Sequence, residues 1–513
     1  MKEPKKKRLR RWFQELLRRR FYVVVLIVLQ LALLLGATLT SLYFFQFTYF
    51  ILWALSILVV LYIIKQNDKP AYKLTWSILI LLLPLFGGLF YLLFRFQSST
   101  RQFRQWQAEV AQSTAPLYAQ AGCPVQPPPA FTNLGRYLAD FACFPAYRNT
   151  ASRYLTPGED YFDSLMADLR AAKEFIFLEY FIINGGQMWN AILGVLKEKA
   201  AAGVEVRLLY DDMGCFLLLP SNYPQTLSRF GIRCRVFSPF RPVLSSLQNN
   251  RDHRKIAVID GRVAYTGGIN LADEYINAAE RFGHWKDAGI RLEGEATRSF
   301  TLMFLEMWSL TGGDSEDYTP YLVGELPPVP EASGQVQPYC DSPLDRENVG
   351  EHVYLRIMSG AQRYLYINSP YLIVDDTMLS ALTLAAKSGV DVRICTPQRW
   401  DKWLVHMTTR SYYRVLLRAG VRIYEYKNGF NHAKTFVADD RVATVGTTNL
   451  DFRSLYLHFE CGCCLYDTDS VLQVKEDYLR TLAVSQQITL DDCKDNPVSR
   501  LFQEVLRVFA PLM

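Results

Sequence analysis

One motif occurs twice in this chain with the same internal spacing. In both copies a lysine follows a histidine by two positions, an aspartate follows that lysine by five, a glycine follows the aspartate by seven, and an asparagine follows the glycine by three. The chain of 513 residues has only six histidines, so chance is a poor explanation for two of them in one long template. The repeated residues are His253, Lys255, Asp260, Gly267 and Asn270, and then His432, Lys434, Asp439, Gly446 and Asn449.

Each copy predicts a strand, a tight turn and a second strand. The residues on both sides of Asp260-Gly261 are mostly apolar, and this dipeptide favours the turn of a hairpin. Because residues two apart share one face of an extended chain, His253 and Lys255 are expected to point the same way, about 6.6 Å apart. Asp260 is seven residues beyond His253, so we expect it, like Asp439 in the second copy, to fix the turn.

The glycines and asparagines complete each copy and suggest its chemistry. Gly267 and Gly446 allow close backbone approach, and Asn270 and Asn449 supply amide donors. Two imidazoles, two ammonium groups and two amides suit a phosphate diester, because the lysines and amides would bind its non-bridging oxygens and offset charge in the transition state. One neutral histidine would attack phosphorus and the other, protonated, would give its proton to the leaving alcohol. Histidine titrates near pH ~6.5, so modest shifts hold the two in opposite states.

No metal or other cofactor is expected for this chemistry. The sequence has no HExxH motif and no cluster of carboxylates at the spacing of a two-metal site. The dense group Cys461, Cys463 and Cys464 is interpreted as buried strand cysteines rather than as metal ligands.

The repeated His-Lys-Asp pattern resembles that of the phospholipase D superfamily. The resemblance implies that two similar halves pack about a pseudo-two-fold axis and bring both histidines to one cleft. It also implies a carboxylate downstream of each motif that orients the histidine of that motif, and Asp287 and Glu460 occupy those places. His458 stands where related proteins tend to have asparagine. The remaining histidines are assigned no role: His284, His352 and His406.

The order of predicted elements agrees with two α/β halves. An apolar strand, a helix and another strand are predicted at 175–182, 189–202 and 203–210, and again at 364–373, 377–388 and 389–394. We therefore predict an α/β fold with two phospholipase D-like domains, at 151–311 and 338–513, joined by a linker rich in glycine and proline at 312–337. A junction at 95–150 precedes them.

The N-terminal region has the composition of a membrane anchor. Residues 1–20 form a basic leader with ten Lys/Arg, and residues 21–64 contain no charged side chain. As a helix that uncharged run would be about 66 Å long, roughly twice a ~30 Å hydrocarbon core. We predict a transmembrane region at 21–94, and its three spans are placed near 21–41, 45–64 and 74–94.

The distribution of positive charge predicts how these spans are oriented. The basic leader and the loop at 65–73 are expected in the cytoplasm, so that the domains lie on the extracytoplasmic face of the cell membrane. The segment from Lys69-Pro70 through Trp76 to Pro84 and Tyr91 resembles the membrane hairpin that precedes the catalytic part of bacterial cardiolipin synthases. The C-terminal stretch 500–513 has apolar residues at helical spacing, which suits packing against the domain or contact with lipid.

The net charge argues against a nucleic-acid partner. The formal charge is +6, but the leader alone contributes +8, so the remainder of the chain is slightly acidic. A nuclease should carry its positive charge on the catalytic part. Anionic phospholipids are therefore the expected partners, and the oligomeric state is left open.

The resemblance implies a specific reaction. His253 would attack the phosphorus of phosphatidylglycerol, expel glycerol and form a phosphatidyl-histidine. A second phosphatidylglycerol, deprotonated by His432, would then accept the phosphatidyl group and yield cardiolipin. The motifs alone leave open a hydrolase, or a transferase to serine, ethanolamine or another alcohol. A membrane-tethered nuclease and a degenerate lipid-binding copy are the alternatives from other classes.

Overall fold

A computed structural model describes most of the chain. The described residues are 28, 31, 32, 35, 36, 39, 45–83, 87, 88, 91, 98–120, 122–240, 246–324, 326–345, 347–494 and 496–512. The basic leader at 1–20, most of the predicted span at 21–41 and part of the span at 74–94 lie outside these residues. Two compact units are present: one includes residues 1–101 and the other most of the chain after them.

Two helices of the N-terminal unit have bounds within the described residues, α1 (Phe45–Lys65) and α2 (Pro70–Leu82). Pro70 begins α2, where its missing N–H is not needed and its fixed φ suits the first turn. Ile63 and Ile80 are buried together, and the ring of Trp76 packs edge-on against Tyr91 at 5.3 Å. In the part of the chain that the structure describes, no helix combines the length and the apolar character needed to cross a membrane. The spans stay a prediction from sequence.

The second unit contains eighteen strands in the described residues. They are β1 (Thr150–Leu155), β2 (Phe175–Tyr180), β3 (Glu205–Asp211), β4 (Arg233–Phe237), β5 (Arg251–Asp252), β6 (Ile256–Ile259), β7 (Val263–Gly267), β8 (His284–Lys286), β9 (Gly289–Gly294), β10 (Gln335–Asp341), β11 (Tyr364–Asn368), β12 (Asp391–Pro397), β13 (Arg422–Tyr426), β14 (Gly429–Asn431), β15 (Thr435–Ala438), β16 (Val442–Gly446), β17 (His458–Tyr466) and β18 (Ser485–Ile488).

Helices precede and cover these strands. They are α3 (Ser98–Ala119), α4 (Thr132–Arg136), α5 (Gly158–Ala171), α6 (Gln187–Ala201), α7 (Asp212–Cys215), α8 (Tyr223–Ser228), α9 (Thr297–Gly312), α10 (Val349–Gly360), α11 (Asp376–Lys387), α12 (Trp403–Arg418), α13 (Phe452–Tyr456), α14 (Asp469–Ala483) and α15 (Pro497–Phe509). Each half contains a strand-helix-strand unit, β2-α6-β3 and β11-α11-β12, whose strands pair in parallel, as the sequence pattern predicts.

The two large sheets repeat one strand order. The first runs β1-β9-β7-β6-β2-β3-β4, and the second runs β10-β17-β16-β15-β11-β12-β13 with β18 added at its edge. In each sheet the motif hairpin, β6-β7 or β15-β16, is antiparallel and lies next to the parallel strands. The α/β fold with two similar domains is therefore confirmed. The predicted linker at 312–337 overlaps the second sheet, because β10 already begins at Gln335.

The core explains why the halves hold together. Apolar residues of α5 and α6, such as Leu165 and Ile192, are fully buried against Ile176 and Leu208 of the first sheet. Helix α9 is buried along most of its length and contacts strands of the first sheet and β10 of the second. Burial of these apolar surfaces is the dominant stabilising contribution.

Candidate active site

The motif histidines do not lie on the strands that the sequence predicted for them. Strand β5 ends at Asp252 and β6 begins at Ile256, so His253 and Lys255 occupy the short link between two strands. Two short parallel pairings fix these links: β5 lies beside the start of β17, and β14 lies beside β8. Both pairings join one half of the molecule to the other.

The registers of the two pairings are equivalent. Asp252 is opposite Phe459, and the N–H of His253 donates to the carbonyl of Phe459 at 3.0 Å. Asn431 is opposite Lys286, and the N–H of His432 donates to the carbonyl of Lys286 at 2.7 Å. Each histidine therefore lies beside the residue that directly follows its carbonyl partner, Phe459 or Lys286. That residue carries a carboxylate in both cases.

The carboxylates are exchanged between the halves. The Nδ1 atom of His253 lies 2.9 and 3.0 Å from the two carboxylate oxygens of Glu460, and Nδ1 of His432 lies 2.6 Å from Asp287 Oδ2. The predicted pairing of each carboxylate with the histidine of its own motif is wrong. The parallel cross-half strands decide the partner, because they place Glu460 and Asp287 beside the opposite histidine.

Position 268 of the first half corresponds to position 447 of the second, and the two are occupied differently. Thr447 donates a hydrogen bond from Oγ1 to Glu460. A Cβ at Gly268 would lie 2.1 Å from an oxygen of Asp287, so only glycine leaves room for that carboxylate. These supporting residues were missed, although Thr447 and Gly268 both directly follow the motif glycines in the sequence.

The two motifs act on each other electrostatically. Burial, followed by the charge of Lys255, holds the pKa of His253 well below its usual value, and Lys434 and His432 lower it further. Burial and Lys434 lower the pKa of His432 to about 4, and Lys255 of the other motif also contributes. Both imidazoles are therefore neutral near pH 7 in the free protein, and the two motifs lie within electrostatic reach of one another.

Burial also shifts the pKa values of the charged partners. It lowers the pKa of Lys255 to about 8 and that of Lys434 to about 7. Burial raises the pKa of Glu460 well above its usual range, with Lys255 opposing that shift. Asp287 is equally buried, but His432 and Lys434 outweigh its desolvation and lower its pKa. Of the two carboxylates, Asp287 is therefore the more readily ionised.

Each motif lysine folds back towards its own histidine. The ammonium of Lys255 donates to the carbonyl of His253, and that of Lys434 donates to the carbonyl of His432 and lies 2.9 Å from its Nδ1. Both lysines are almost fully buried. A buried ammonium attracts an anion strongly because little water screens it.

The aspartates of the motifs bind backbone groups at the hairpin turns. Asp260 has a positive φ of 51° and its carboxylate accepts three backbone N–H groups, from Lys173, Glu174 and Phe175, at 2.8–2.9 Å. Asp439 has φ of 60° and accepts the equivalent three bonds at 2.7–3.0 Å from residues 362–364. Each carboxylate ties the hairpin turn to the start of the neighbouring strand.

The two motif asparagines make different contacts. Asn270 accepts from the N–H of Ile182 at 3.0 Å and donates to the hydroxyl of Tyr275 at 2.8 Å, so its amide braces a loop. Asn449 Oδ1 is buried without a hydrogen bond among the described residues.

A Cβ added at Gly267 or Gly446 would lie 2.4 or 2.6 Å from a backbone oxygen of the adjacent chain. These glycines therefore allow the close approach of neighbouring strands that brings Asp287 and Glu460 near the motif histidines.

The remaining predicted features have simple positions. Cys461, Cys463 and Cys464 are fully buried on β17, as expected of strand cysteines. His284 bonds to Tyr426 and His352 bonds to Glu347 and Tyr137. His406 lies on α12.

Comparisons with known proteins agree with this fold and site. A family model described as "Cardiolipin synthase, PLD-like domain" matches residues 165–297 and 354–482, and a model described as "Phospholipase_D-nuclease N-terminal" matches 51–95. The solved structure of a phosphatidylserine synthase from Haemophilus influenzae has the same fold, with a TM-score of 0.55 over 71% of this chain and 94% of that chain at 14% identity. The family model, together with the fold and the paired motifs, places this chain in the phospholipase D superfamily.

Sequence relatives make the assignment more specific. A cardiolipin synthase of Geobacillus kaustophilus is 36% identical over 472 residues, covering 89% of this chain and 92% of the relative. Cardiolipin synthase 2 of Bacillus anthracis is 34% identical over 459 residues, covering 88% of each chain. An uncharacterized protein of Streptococcus mutans is 44% identical over 459 residues, covering 88% of this chain and 99% of the relative. The chain belongs to the cardiolipin synthase family.

Proposed function

We propose that the two motifs form one active site that transfers a phosphatidyl group between two phosphatidylglycerol molecules, giving cardiolipin and glycerol. The observation that carries this proposal is the pair of buried imidazoles, each bonded at Nδ1 to a carboxylate of the opposite half. A hydrogen bond at Nδ1 leaves Nε2 of a neutral imidazole with its lone pair. Two such nitrogens, with two buried lysines, supply a nucleophile, an acid/base and charge for a phosphodiester.

In the first step His253 is the nucleophile. Its neutral imidazole forms a bond from Nε2 to phosphorus while the bond from phosphorus to the glycerol oxygen breaks. His432 gives its proton to that oxygen, so glycerol leaves as a neutral alcohol. The bound phosphate carries a negative charge that opposes the effect of Lys434, and with ionised Asp287 it favours the protonated form of His432 at this stage.

In the second step a lipid hydroxyl replaces glycerol. Neutral His432 takes the proton of the hydroxyl of a second phosphatidylglycerol, whose oxygen attacks phosphorus as the bond to His253 breaks. Both histidines return to their starting protonation states, and one phosphodiester has been exchanged for another. No energy-rich nucleotide is therefore required, and the reaction is reversible.

Purified protein given phosphatidylglycerol alone tests this function. Lipid mass spectrometry should find cardiolipin in equal molar amount to released glycerol. Phosphatidic acid as the main product would instead identify a hydrolase, and addition of serine or ethanolamine would show whether another alcohol is preferred. Absence of any turnover with intact motifs would overturn the proposal.

The rate should decline on the alkaline side of neutrality. The phosphate-binding forms of Lys255 and Lys434 are protonated, and their lowered pKa values, about 8 and about 7, mean that charge is lost as the pH rises through this range. The nucleophilic form of His253 is neutral, and its lowered pKa keeps it neutral down to mildly acidic pH. We expect kcat/KM for phosphatidylglycerol to fall about tenfold or more between pH 6.5 and pH 9, as measured by initial rates.

A lysine-to-arginine variant is the control for that pH profile. Lys434→Arg keeps the positive charge at all these pH values, so its lower absolute rate should show a weaker alkaline decline. A wild-type profile that stays flat to pH 9 would contradict the assigned role of the lysines.

We infer further that the second unit contacts a lipid surface through α15. On this helix Val498, Leu501 and Val505 are 78%, 67% and 44% exposed, and Phe502 stacks with Trp403 of α12 at 5.9 Å. An amphipathic helix with exposed apolar and aromatic side chains is typical of interfacial binding.

Substitution of Leu501 tests this contact. Leu501→Glu should raise the apparent KM for phosphatidylglycerol in vesicles about fivefold, because the charge opposes insertion, and should leave the rate on monomeric short-chain phosphatidylglycerol unchanged. The matched control is Leu384→Glu, which alters a leucine that is 68% exposed on α11. Equal kinetics of both variants on vesicles would contradict the contact.

We also propose that the protein is a multi-pass protein of the cell membrane with its second unit on the extracytoplasmic side. The uncharged run at 21–64 and the basic leader support this topology. Cys143 is an exposed thiol of the second unit and reports on sidedness. A membrane-impermeant maleimide should label Cys143 in intact cells and lose that labelling in a Cys143→Ser control. Labelling that requires permeabilised cells would place the unit in the cytoplasm.

A further inference from the structure

His458 is a polar side chain inside the site that the proposed mechanism does not use. It begins β17, two residues before Glu460, so the two side chains share one face of the strand. Its ring lies 5.6 Å from the ring of His253, centroid to centroid, and its side chain is only 11% exposed. Neither ring nitrogen has a hydrogen-bond partner among the residues that the structure describes. The nearest carboxylate oxygen, on Glu460, is 3.8 Å from Nδ1, which is too far for a hydrogen bond.

The other half of the molecule repeats this arrangement. Trp285 lies two residues before Asp287 and its ring packs 5.1 Å from that of His432. The indole Nε1 of Trp285 is also buried and makes no hydrogen bond within the described part of the chain. Buried polar groups in folded proteins are nearly always paired, and exceptions at equivalent positions beside both motif histidines point to a ligand that supplies the missing partner.

The charge around His458 identifies the class of that ligand. After burial, the strongest influences that lower the pKa of His458 are the positive charges of Arg453, Lys255, Arg251 and Lys402. The imidazole is therefore neutral near pH 7 and carries one N–H donor. A surrounding set of cations favours an anionic oxygen and opposes a metal ion, although one ligand atom each from His253, His458 and Glu460 lie within 4.8 Å of one another.

We propose that His458 is a further substrate-binding residue, whose imidazole N–H donates to a non-bridging oxygen of the phosphodiester held beside His253. This inference rests on the proposed function, because it assigns the anion to the lipid phosphate of the transfer reaction. His458 would add a donor on the side of phosphorus that faces His253. Trp285 occupies the equivalent position on the side that faces His432. It binds the phosphate and does not itself exchange a proton with the reacting oxygens.

Inorganic phosphate binding to the full-length protein tests the proposal without requiring turnover. Isothermal titration of wild type, His458→Phe and His458→Asn should show phosphate affinity about tenfold weaker in His458→Phe, which keeps the ring and loses the donor. His458→Asn keeps an N–H donor and should remain within about threefold of wild type. The kcat/KM for phosphatidylglycerol should follow the same order. His352→Phe is the matched control outside the site and should bind phosphate as wild type does.

Three results would overturn the proposal. One is wild-type phosphate affinity in His458→Phe protein that melts at the wild-type temperature. Another is equal loss in the phenylalanine and asparagine variants, which would show that ring shape matters and the donor does not. The third is stoichiometric Zn²⁺ binding that His458→Asn abolishes while phosphate affinity is unchanged. Phosphate binding that depends on His458 in a protein that makes no cardiolipin would refute the proposed function and leave this site standing.

Discussion

Replacing His432 with alanine should trap a phosphatidyl group on His253 and reduce cardiolipin synthesis at least about a thousandfold. The variant lacks the base that deprotonates the incoming hydroxyl, so the second step stops. The first step also needs His432 to protonate glycerol, and a phosphatidyl ester of nitrophenol avoids that need because nitrophenolate leaves without a proton. One equivalent of nitrophenolate should therefore be released in a burst, and the labelled lipid should remain on the protein. Peptide mass spectrometry should place it on His253.

The converse variant is the control for this experiment. His253→Ala has no nucleophile, so it should give neither a burst nor a labelled protein. Lipid attached to His432 in the His253→Ala protein would reverse the assignment of the two histidines. Absence of a covalent intermediate in wild type and both variants, with cardiolipin still formed by wild type, would favour direct transfer in one step.

The exchanged carboxylates should give two different kinetic defects. Glu460→Gln keeps the size of the side chain but weakens the orientation of His253, so the nitrophenolate burst should slow by about 10²–10⁴-fold. Asp287→Asn disturbs His432 instead, so the burst should persist while transfer to the second lipid falls by a similar factor and label accumulates. Stopped-flow absorbance and the amount of bound lipid measure the two steps separately.

The two carboxylate variants also test the cross-half geometry. If each carboxylate served the histidine of its own motif, the defects would be interchanged: Asp287→Asn would slow the burst and Glu460→Gln would accumulate label. Matched changes at solvent-exposed carboxylates away from the motifs, Asp491→Asn and Glu198→Gln, should leave both steps at the wild-type rate.

Residues whose role depends on nearby chain were predictable. The Asp-Gly turn and the apolar residues around it indicate the motif hairpin, because turn preference and strand alternation are local properties. The turn positions of Asp260 and Asp439 were also predicted from local sequence, although the backbone N–H groups that their carboxylates bind lie 75–87 residues away along the chain. The recurrence of a strand-helix-strand pattern similarly predicted two α/β halves, since each half buries its core by the same arrangement.

Residues whose role depends on distant chain were not predictable. Asn270 has the spacing of a phosphate donor, but its amide is bonded to Ile182 and Tyr275, which no motif spacing reveals. His458 belongs to neither motif, and only its position in the folded chain shows that it lies beside His253 with two nitrogens that have no hydrogen-bond partner among the described residues.

The sequence by itself determined the chemical groups of this protein: two histidines, two lysines and two carboxylates on a duplicated α/β framework. The tertiary structure alone decided which carboxylate serves which histidine, across separations of 207 and 145 residues. The physical reason is that β5 and β14 each pair in parallel with a strand of the opposite half, and the backbone hydrogen bonds of that register bring the partner's next side chain to the imidazole. Motif spacing describes only contacts within one segment, so it contains no information about that register.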